Sequence, residues 1–289
     1  MPELPEVETI VRGLRRLVVG ERISAFVADW PGVTGAEPPE LVDARVRGTR
    51  IVGARRRGKL AVLDLDSGES LVISLRMTGK LLVRATGASD DAYVRGRFRF
   101  ESGRELRFAD TRKFGRIVLV PRDQIRAPAA RDGRRDGALH ERLGVEPLSR
   151  AFTLERFGAL LRARRRSRLK PLLLDQEFIA GIGNIYANEA LYRARVHPLR
   201  SAGSLRGEQV RALHEAILAA LRRAISLRGS SIDDYRDARG RRGRMQREFL
   251  VHGREDEPCP RCGRPIRKAW IGGRGTYWCP GCQRAPVRR

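Results

Sequence analysis

Residues 97–108 read Arg-Phe-Arg-Phe-Glu-Ser-Gly-Arg-Glu-Leu-Arg-Phe, two short runs on either side of Ser102-Gly103. In the first run polar and aromatic residues alternate, which puts Phe98 and Phe100 on one face of a strand, and Ser-Gly is a tight-turn dipeptide. The stretch therefore predicts an antiparallel hairpin, Arg97–Glu101 with Glu105–Phe108. Upstream, Arg22–Ala28, Arg45–Arg55, Leu60–Leu65 and Leu71–Leu75 have strand composition, with another turn at Ser67-Gly68. Arg116–Val120 follows downstream. So many short strands in about a hundred residues predict an antiparallel sandwich or barrel.

Helical patterns flank this β region. Leu4, Val7, Val11, Leu14 and Val18 recur at three- and four-residue steps and predict a helix over 3–19. Glu3, Glu6 and Glu8 at its start and Arg12, Arg15 and Arg16 further on suit the helix dipole, with Pro5 in the first turn and Gly20 as the stop. Residues 126–137, rich in Arg, Ala, Asp, Gly and Pro, read as a linker. Beyond it, Thr153 caps a predicted helix carrying Phe157, Leu160 and Leu161, and Asn184 caps another running towards Arg195. A long helix over Glu208–Arg228 places Val210, Leu213, Ile217, Leu221 and Ile225 on one face and ends at Gly229. Residues 236–247 read as a mobile basic loop. The expected class is α+β and multidomain.

The 289 residues are 41% hydrophobic and 32% charged, enough for a packed core, and Lys plus Arg outnumber Asp plus Glu by 59 to 34, a formal charge of +25. Arg-rich coding explains why only five of those 59 are Lys, but it does not explain the shortage of acids. A field of this sign calls for a polyanionic partner, nucleic acid ahead of an anionic membrane surface, since no basic amphipathic helix or lipidation signal is present. No run approaches the roughly 18 apolar residues of a membrane span. The acidic opening is unlike a secretory signal, so the expected location is cytoplasmic, with no membrane partner.

The four cysteines stand as Cys259-Pro-Arg-Cys262 and Cys279-Pro-Gly-Cys282. Two such knuckles match a four-thiolate structural zinc site with no open coordination position. Between them, Ile271–Tyr277 reads as a hairpin presenting Arg274 at its tip; alone, this is equally an ordinary solvated arginine. Gly181-Ile-Gly183-Asn184 before a helix suits a phosphate contact or a plain inter-helix turn. The basic run Arg162, Arg164, Arg165, Arg166, Arg168 and Lys170 suits a DNA backbone or a solvated face. Asp110-Thr-Arg-Lys-Phe-Gly115 sets an aromatic between cations; Phe114, and Met77 in a similar turn, suit either a wedge in a duplex or core packing. If Met1 is removed, Pro2 becomes a secondary amine able to attack C1′ of a deoxyribose and form an iminium ion, with Glu3 beside it to shuttle protons. Four scattered His without a His-x-Glu pairing disfavour a zinc deaminase or metalloprotease.

Taken together and in this order, Met1–Thr9, Asp110–Gly115, Asp175-Gln176 with Ile179–Glu189, and the cysteine module resemble the formamidopyrimidine-DNA glycosylase family, which includes the endonuclease VIII-type enzymes. The resemblance spans essentially the whole chain. It implies an N-terminal antiparallel β-sandwich with flanking helices, a helix–two-turn–helix domain around Asn184 and a C-terminal zinc finger, with DNA in the cleft between. The expected division is 1–125 (catalytic sandwich), 126–137 (linker), 138–235 (helix–two-turn–helix) and 236–289 (basic loop and zinc finger). By position, the resemblance makes Pro2 the Schiff-base nucleophile and Glu3 the general acid/base, with Glu6 in support. It makes Lys59 a phosphate contact that assists β-elimination, and Arg274 one that assists δ-elimination. Met77, Arg112 and Phe114 fill the gap left by a flipped nucleotide; Tyr93, Arg165, Lys170 and Asn184 are further DNA contacts. Cys259, Cys262, Cys279 and Cys282 hold one structural Zn2+.

Three departures touch lesion preference: Ser74-Leu-Arg-Met77 replaces the family's usual His-Leu-Gly-Met, Tyr93 and Arg95 stand where many members have His, and Arg241–Phe249 is unusually basic. The expected activity is excision of oxidised purines from damaged double-stranded DNA by a monomer. The alternatives are an endonuclease VIII-like preference for oxidised pyrimidines and a non-catalytic damaged-DNA-binding protein.

Overall fold

The computed structural model describes residues 2–89, 91–125 and 143–285. The expected linker at 126–137 lies outside the described residues. The contacts divide the chain into two compact units, Met1–Glu141 with Ile225–Gln246, and Arg142–Ala224 with Arg247–Arg289. A boundary at 235, expected from the sequence, falls inside a segment whose contacts are with the first unit.

In the first unit, α1 (Leu4–Leu17) precedes β1 (Ile23–Val27), α2 (Pro39–Val46), β2 (Ile51–Arg57), β3 (Leu60–Leu65), β4 (Glu69–Ser74), β5 (Lys80–Ala85), β6 (Val94–Phe100), β7 (Arg104–Ala109) and β8 (Arg116–Pro121). The strands form two antiparallel four-stranded sheets, β2-β3-β4-β8 and β1-β6-β7-β5. The predicted hairpin is β6–β7, with Phe98 opposite Leu106. Phe98, Phe100, Leu106 and Phe108 join Val62's neighbours Ala61 and Leu63, and the stripe Val7, Ile10, Val11 and Leu14 of α1, in one core. Alternation within each strand is what sends these side chains inward together.

Two elements correct the sequence reading. Arg45 and Val46 belong to a helix rather than a strand: Pro39 supplies a preset first turn, and Asp43 accepts the Phe26 backbone N–H at 2.6 Å, tying α2 to β1. Strand β5 was unpredicted because Leu81-Leu-Val83 is an unbroken apolar run with no alternation. It is an edge strand, and the Val83 N–H donates to Ala238 O at 3.0 Å. Residues 236–247 are thus not a free loop. Asp237 accepts the N–H groups of Arg239 and Arg241, and Ala238 is buried in the core. The segment covers a strand edge that would otherwise be open to pairing.

The second unit holds α3 (Leu154–Ala163), α4 (Leu169–Leu174), α5 (Asn184–Arg193), α6 (Gly207–Ser226, its last two residues counted with the first unit), β9 (Arg267–Ile271) and β10 (Arg274–Trp278). Thr153 caps α3 as expected, its hydroxyl accepting Arg156 N–H at 3.1 Å. Asn184 is the first helical residue of α5, not its cap; Gly183 takes that position. No helix among the described residues is long and apolar enough to cross a membrane.

Candidate functional site

The amino-terminal corner is organised by Glu6. One carboxylate oxygen accepts the Glu3 backbone N–H at 2.9 Å and the other accepts Ser230 N–H at 2.7 Å. Both Glu3 and Glu6 are buried, Glu6 to 1% exposure, as is Pro2. With both oxygens engaged by backbone, Glu6 is suited to positioning residues 2 and 3 against the 229–231 segment. Gly229 makes that approach possible: its φ is +74°, and a Cβ there would lie 2.8 Å from the Glu6 carboxylate. Tyr235 donates to Glu6 O at 3.3 Å; burial, then the Glu6 charge, raise its phenol well above the usual range, so it remains a donor. Ser230, which the sequence reading missed, is buried beside Glu6, and its hydroxyl has no hydrogen-bond partner among the described residues.

Lys59 sits half-buried in the β2–β3 turn. Arg56, on β2, donates to Glu8 of α1 at 3.1 Å and to Gly58 O at 2.9 Å, so one guanidinium latches this turn to the helix that begins at the amino terminus. Burial alone would raise the Glu8 carboxyl, but Arg12 and Arg56 outweigh it and hold the group below its ordinary value.

Met77, Tyr93, Arg112 and Phe114 lie in three loops of the same unit, and all four are exposed. Asp110, buried at the end of β7, draws the loops together. Its carboxylate accepts from the Thr78 hydroxyl, from Arg112 N–H at 3.2 Å and from Gly115 N–H at 2.8 Å, while its own N–H donates to Tyr93 O at 2.9 Å. Arg76, Tyr93 and Lys113 adopt left-handed φ of 52°, 63° and 56°, a strain that a rigid anchor can sustain. The Arg112 guanidinium lies 4.7 Å over the Phe114 ring. Cation and aromatic thus project as one unit, as a wedge requires. Asp110 was legible only as part of a motif; its acceptor geometry depends on three loops meeting.

In the second unit the turn before α5 is braced by Gln176, which donates to Leu174 O and Ile182 O and accepts Gly181 N–H, all at 2.8–2.9 Å. Lys170 is 0% exposed. Its ammonium donates to Asn184 O at 3.1 Å and to the Asn188 side chain, so its charge lies under the first turn of α5 rather than on the surface. Asn188 in turn contacts His252 Nδ1 at 2.9 Å. Burial, then the Lys170 charge, bring His252 down to about 4, keeping it neutral. The Asn184 side chain donates to Gly275 O in β10 at 2.9 Å, joining the helix start to the cysteine hairpin. Arg165 is exposed in the turn after α3, its carbonyl accepting Gly203 N–H at 2.9 Å. Arg274 is exposed at the first position of β10, directly after the Gly272-Gly273 tip.

The four cysteine sulfurs lie within 4.8 Å of one another, Cys259 and Cys282 at 3.9 Å and Cys262 and Cys279 at 3.4 Å. A tetrahedral zinc with bonds of about 2.3 Å needs sulfurs about 3.8 Å apart, whereas a disulfide needs about 2.05 Å. The geometry fits the metal. Backbone N–H groups of Arg261 and Cys282 point at Cys259 and Cys279 sulfur at 3.4 Å, as they do towards thiolates. Gly281 lets the backbone pass close to the cluster, since a Cβ there would crowd Cys262 sulfur at 3.1 Å and the Arg264 side chain at 2.9 Å.

Comparison with known proteins agrees with this arrangement. Three family models match in order: the formamidopyrimidine-DNA glycosylase N-terminal domain over residues 1–117, the H2TH domain of the same enzymes over 143–236, and the zinc finger found in FPG and IleRS over 256–285. The chain is 46% identical to a formamidopyrimidine-DNA glycosylase of Roseiflexus sp. (strain RS-1), over 98% of this chain and all of that one. It is similar to the Lactococcus lactis Fpg solved with DNA containing an abasic site, with a TM-score of 0.87 and 35% identity over 98% of this chain and all of that one. The wild-type Lactococcus enzyme solved with N7-benzyl-Fapy-dG DNA gives a TM-score of 0.87 and 36% identity over the same shares. With its sandwich, its helical turn and its four-cysteine finger matched end to end, this chain belongs to the formamidopyrimidine-DNA glycosylase family.

Proposed function

We propose that this protein is a base-excision repair enzyme that removes oxidised purines, 8-oxoguanine and formamidopyrimidines, from duplex DNA and then cleaves the abasic site. The carrying observation is full-length family membership together with an amino-terminal corner in which residue 2 is followed by two buried carboxylates. Removal of Met1 frees the Pro2 nitrogen. That nitrogen attacks C1′ of the flipped nucleotide and the base departs with a proton delivered through Glu3; the Pro2 N–H proton is then lost, and the nitrogen lone pair expels O4′, which takes up a proton, so that the C1′–O4′ bond breaks and the opened sugar is left as an iminium ion. The iminium acidifies C2′, so β-elimination expels the 3′ phosphate and δ-elimination the 5′ phosphate, leaving a one-nucleotide gap.

In this reading Glu6 holds residues 2 and 3 in place through the Glu3 N–H. Lys59 assists the first elimination and Arg274 the second, each through a phosphate. Met77, Arg112 and Phe114 fill the vacated stack, aided by Tyr93. Asn184 and Arg165 contact phosphate, while Lys170, from below the helix start, adds positive potential there without leaving its hydrogen bonds. Zinc, held by Cys259, Cys262, Cys279 and Cys282, supplies folding energy to the hairpin and takes no part in the chemistry. The working form is a cytoplasmic monomer, associated with the nucleoid through DNA.

Excision assays on duplexes bearing 8-oxoguanine or thymine glycol test the substrate. Cleavage of the first is expected; cleavage of only the second makes the enzyme endonuclease VIII-like. Binding without cleavage of either, and without a borohydride-trapped adduct on an abasic duplex, makes the protein a non-catalytic binder.

A further inference from the structure

One side chain of the zinc hairpin is accounted for neither by packing nor by metal binding. Trp270 is 75% exposed, more than Tyr93 at 57% or Phe114 at 51%. Along β9, Ala269 and Ile271 point the same way as Thr276, which is buried; Lys268 and Trp270 point the other way. The cross-strand partner of Trp270 is Gly275, which has no side chain to cover an indole, and a Cβ built there would meet only Tyr277 within 4 Å. No other ring or cation packs on Trp270 among the described residues. Leaving so large an apolar ring in water forfeits the burial that normally justifies tryptophan.

The surroundings restrict what covers it. Lys268 shares the face of the indole and is paired with Glu255 at 2.8 Å, while Arg267 and Arg274 project from the other face; besides Trp270, these cations are the exposed non-glycine side chains of the two strands. Gly275, directly across from the indole, is also the residue whose carbonyl takes the Asn184 side chain, so the ring stands one strand away from the start of α5. An indole on a hairpin whose other exposed side chains are cations suits a partner that is anionic at its edge and apolar between its charges. Duplex DNA has that form, with deoxyribose faces set between phosphates; an apolar protein surface does not.

We propose that Trp270 is a further DNA contact, its indole lying against deoxyribose on the flank of the damaged site while neighbouring cations take the phosphates. This rests on the DNA-glycosylase reading above. The test titrates wild type, Trp270→Phe and Trp270→Ala with a duplex carrying an uncleavable abasic analogue, following tryptophan emission and affinity, with zinc content measured for each. The chain has three tryptophans, so the Phe variant isolates this one by difference. The expected result is a DNA-dependent emission change in wild type that is largely absent in Trp270→Phe. Trp270→Ala is expected to bind about three- to tenfold more weakly, with Trp270→Phe in between and zinc unchanged. An equal emission change in Trp270→Phe, with equal affinity in Trp270→Ala, overturns the assignment and leaves the function intact. Wild type that does not bind the duplex overturns the functional reading, and this contact with it.

Discussion

In the first unit, the residues assigned to base departure and to the wedge are held by buried carboxylates that accept backbone N–H groups: Glu6 at the amino terminus and Asp110 among the loops. Both draw on a core shared by two sheets and a helix. In the second unit, the residues assigned to phosphate are held by a buried cation and four thiolates. Around the cysteines the apolar cluster is small, with Tyr192, Val251, Ile266 and two of the cysteines themselves. A core of that size needs a metal to fold. The amino-terminal corner proposed for base departure and the zinc hairpin proposed to carry Arg274 thus rest on different supports, and loss of one is expected to leave the other in place.

The largest effect is expected in the first unit. Glu3→Gln should slow single-turnover excision of 8-oxoguanine by roughly a hundred- to ten-thousandfold, the usual range for a lost acid/base. Trapping on a preformed abasic site, where no base must leave, should suffer far less. Equal losses in both would remove Glu3 from base departure and blur the division of labour.

Zinc removal probes the other side. Chelation should weaken binding to an abasic duplex by about a hundredfold, as expected if two charge-assisted contacts of about 1.5 kcal/mol each are lost. The sandwich amides should keep their hydrogen-exchange protection. If the sandwich also loses protection, the two supports are not separate.

A smaller effect separates the units by pH. His252 binds a proton in the unfolded chain below about 6.5 but in the folded one only near 4. Its contribution is therefore complete above 6.5 and is lost as pH falls towards 4, roughly 3 kcal/mol in all. Glu8, held below its ordinary value, contributes above 4.5 and loses that contribution only as pH falls further. Melts of the second unit followed by hydrogen exchange should therefore soften first on acidification, and His252→Gln should flatten that slope. The smallest change expected is from Phe114→Ala, with affinity for the abasic duplex down about tenfold from the loss of one stacking ring and folding unaffected.

What could be read from the sequence followed the same division. The β6–β7 hairpin, α1 and the cysteine knuckles were legible because each is a local pattern: alternation, a helical stripe, a spacing. Strand β5 was not, because its apolar run becomes a strand only by pairing along its length with β7; nor was the 236–247 segment, which meets the outer edge of β5 through Val83 and Ala238 across more than 150 residues. Within the site, Pro2, Glu3 and Arg274 could be placed by motif. The Ser230 contact with Glu6 and the Asn188–His252 pair could not, since these polar groups meet only after folding. Lys170 was legible as a cation but not as a buried one.

In the proposed mechanism the bond to DNA forms at residue 2. Borohydride reduction on an abasic duplex, followed by protease digestion and mass mapping, locates that bond. The sugar remnant is expected on a peptide that begins at Pro2 and lacks Met1, and no adduct is expected from protein carrying an N-terminal extension. A remnant on Lys59, or an adduct that survives the extension, would contradict this mechanism.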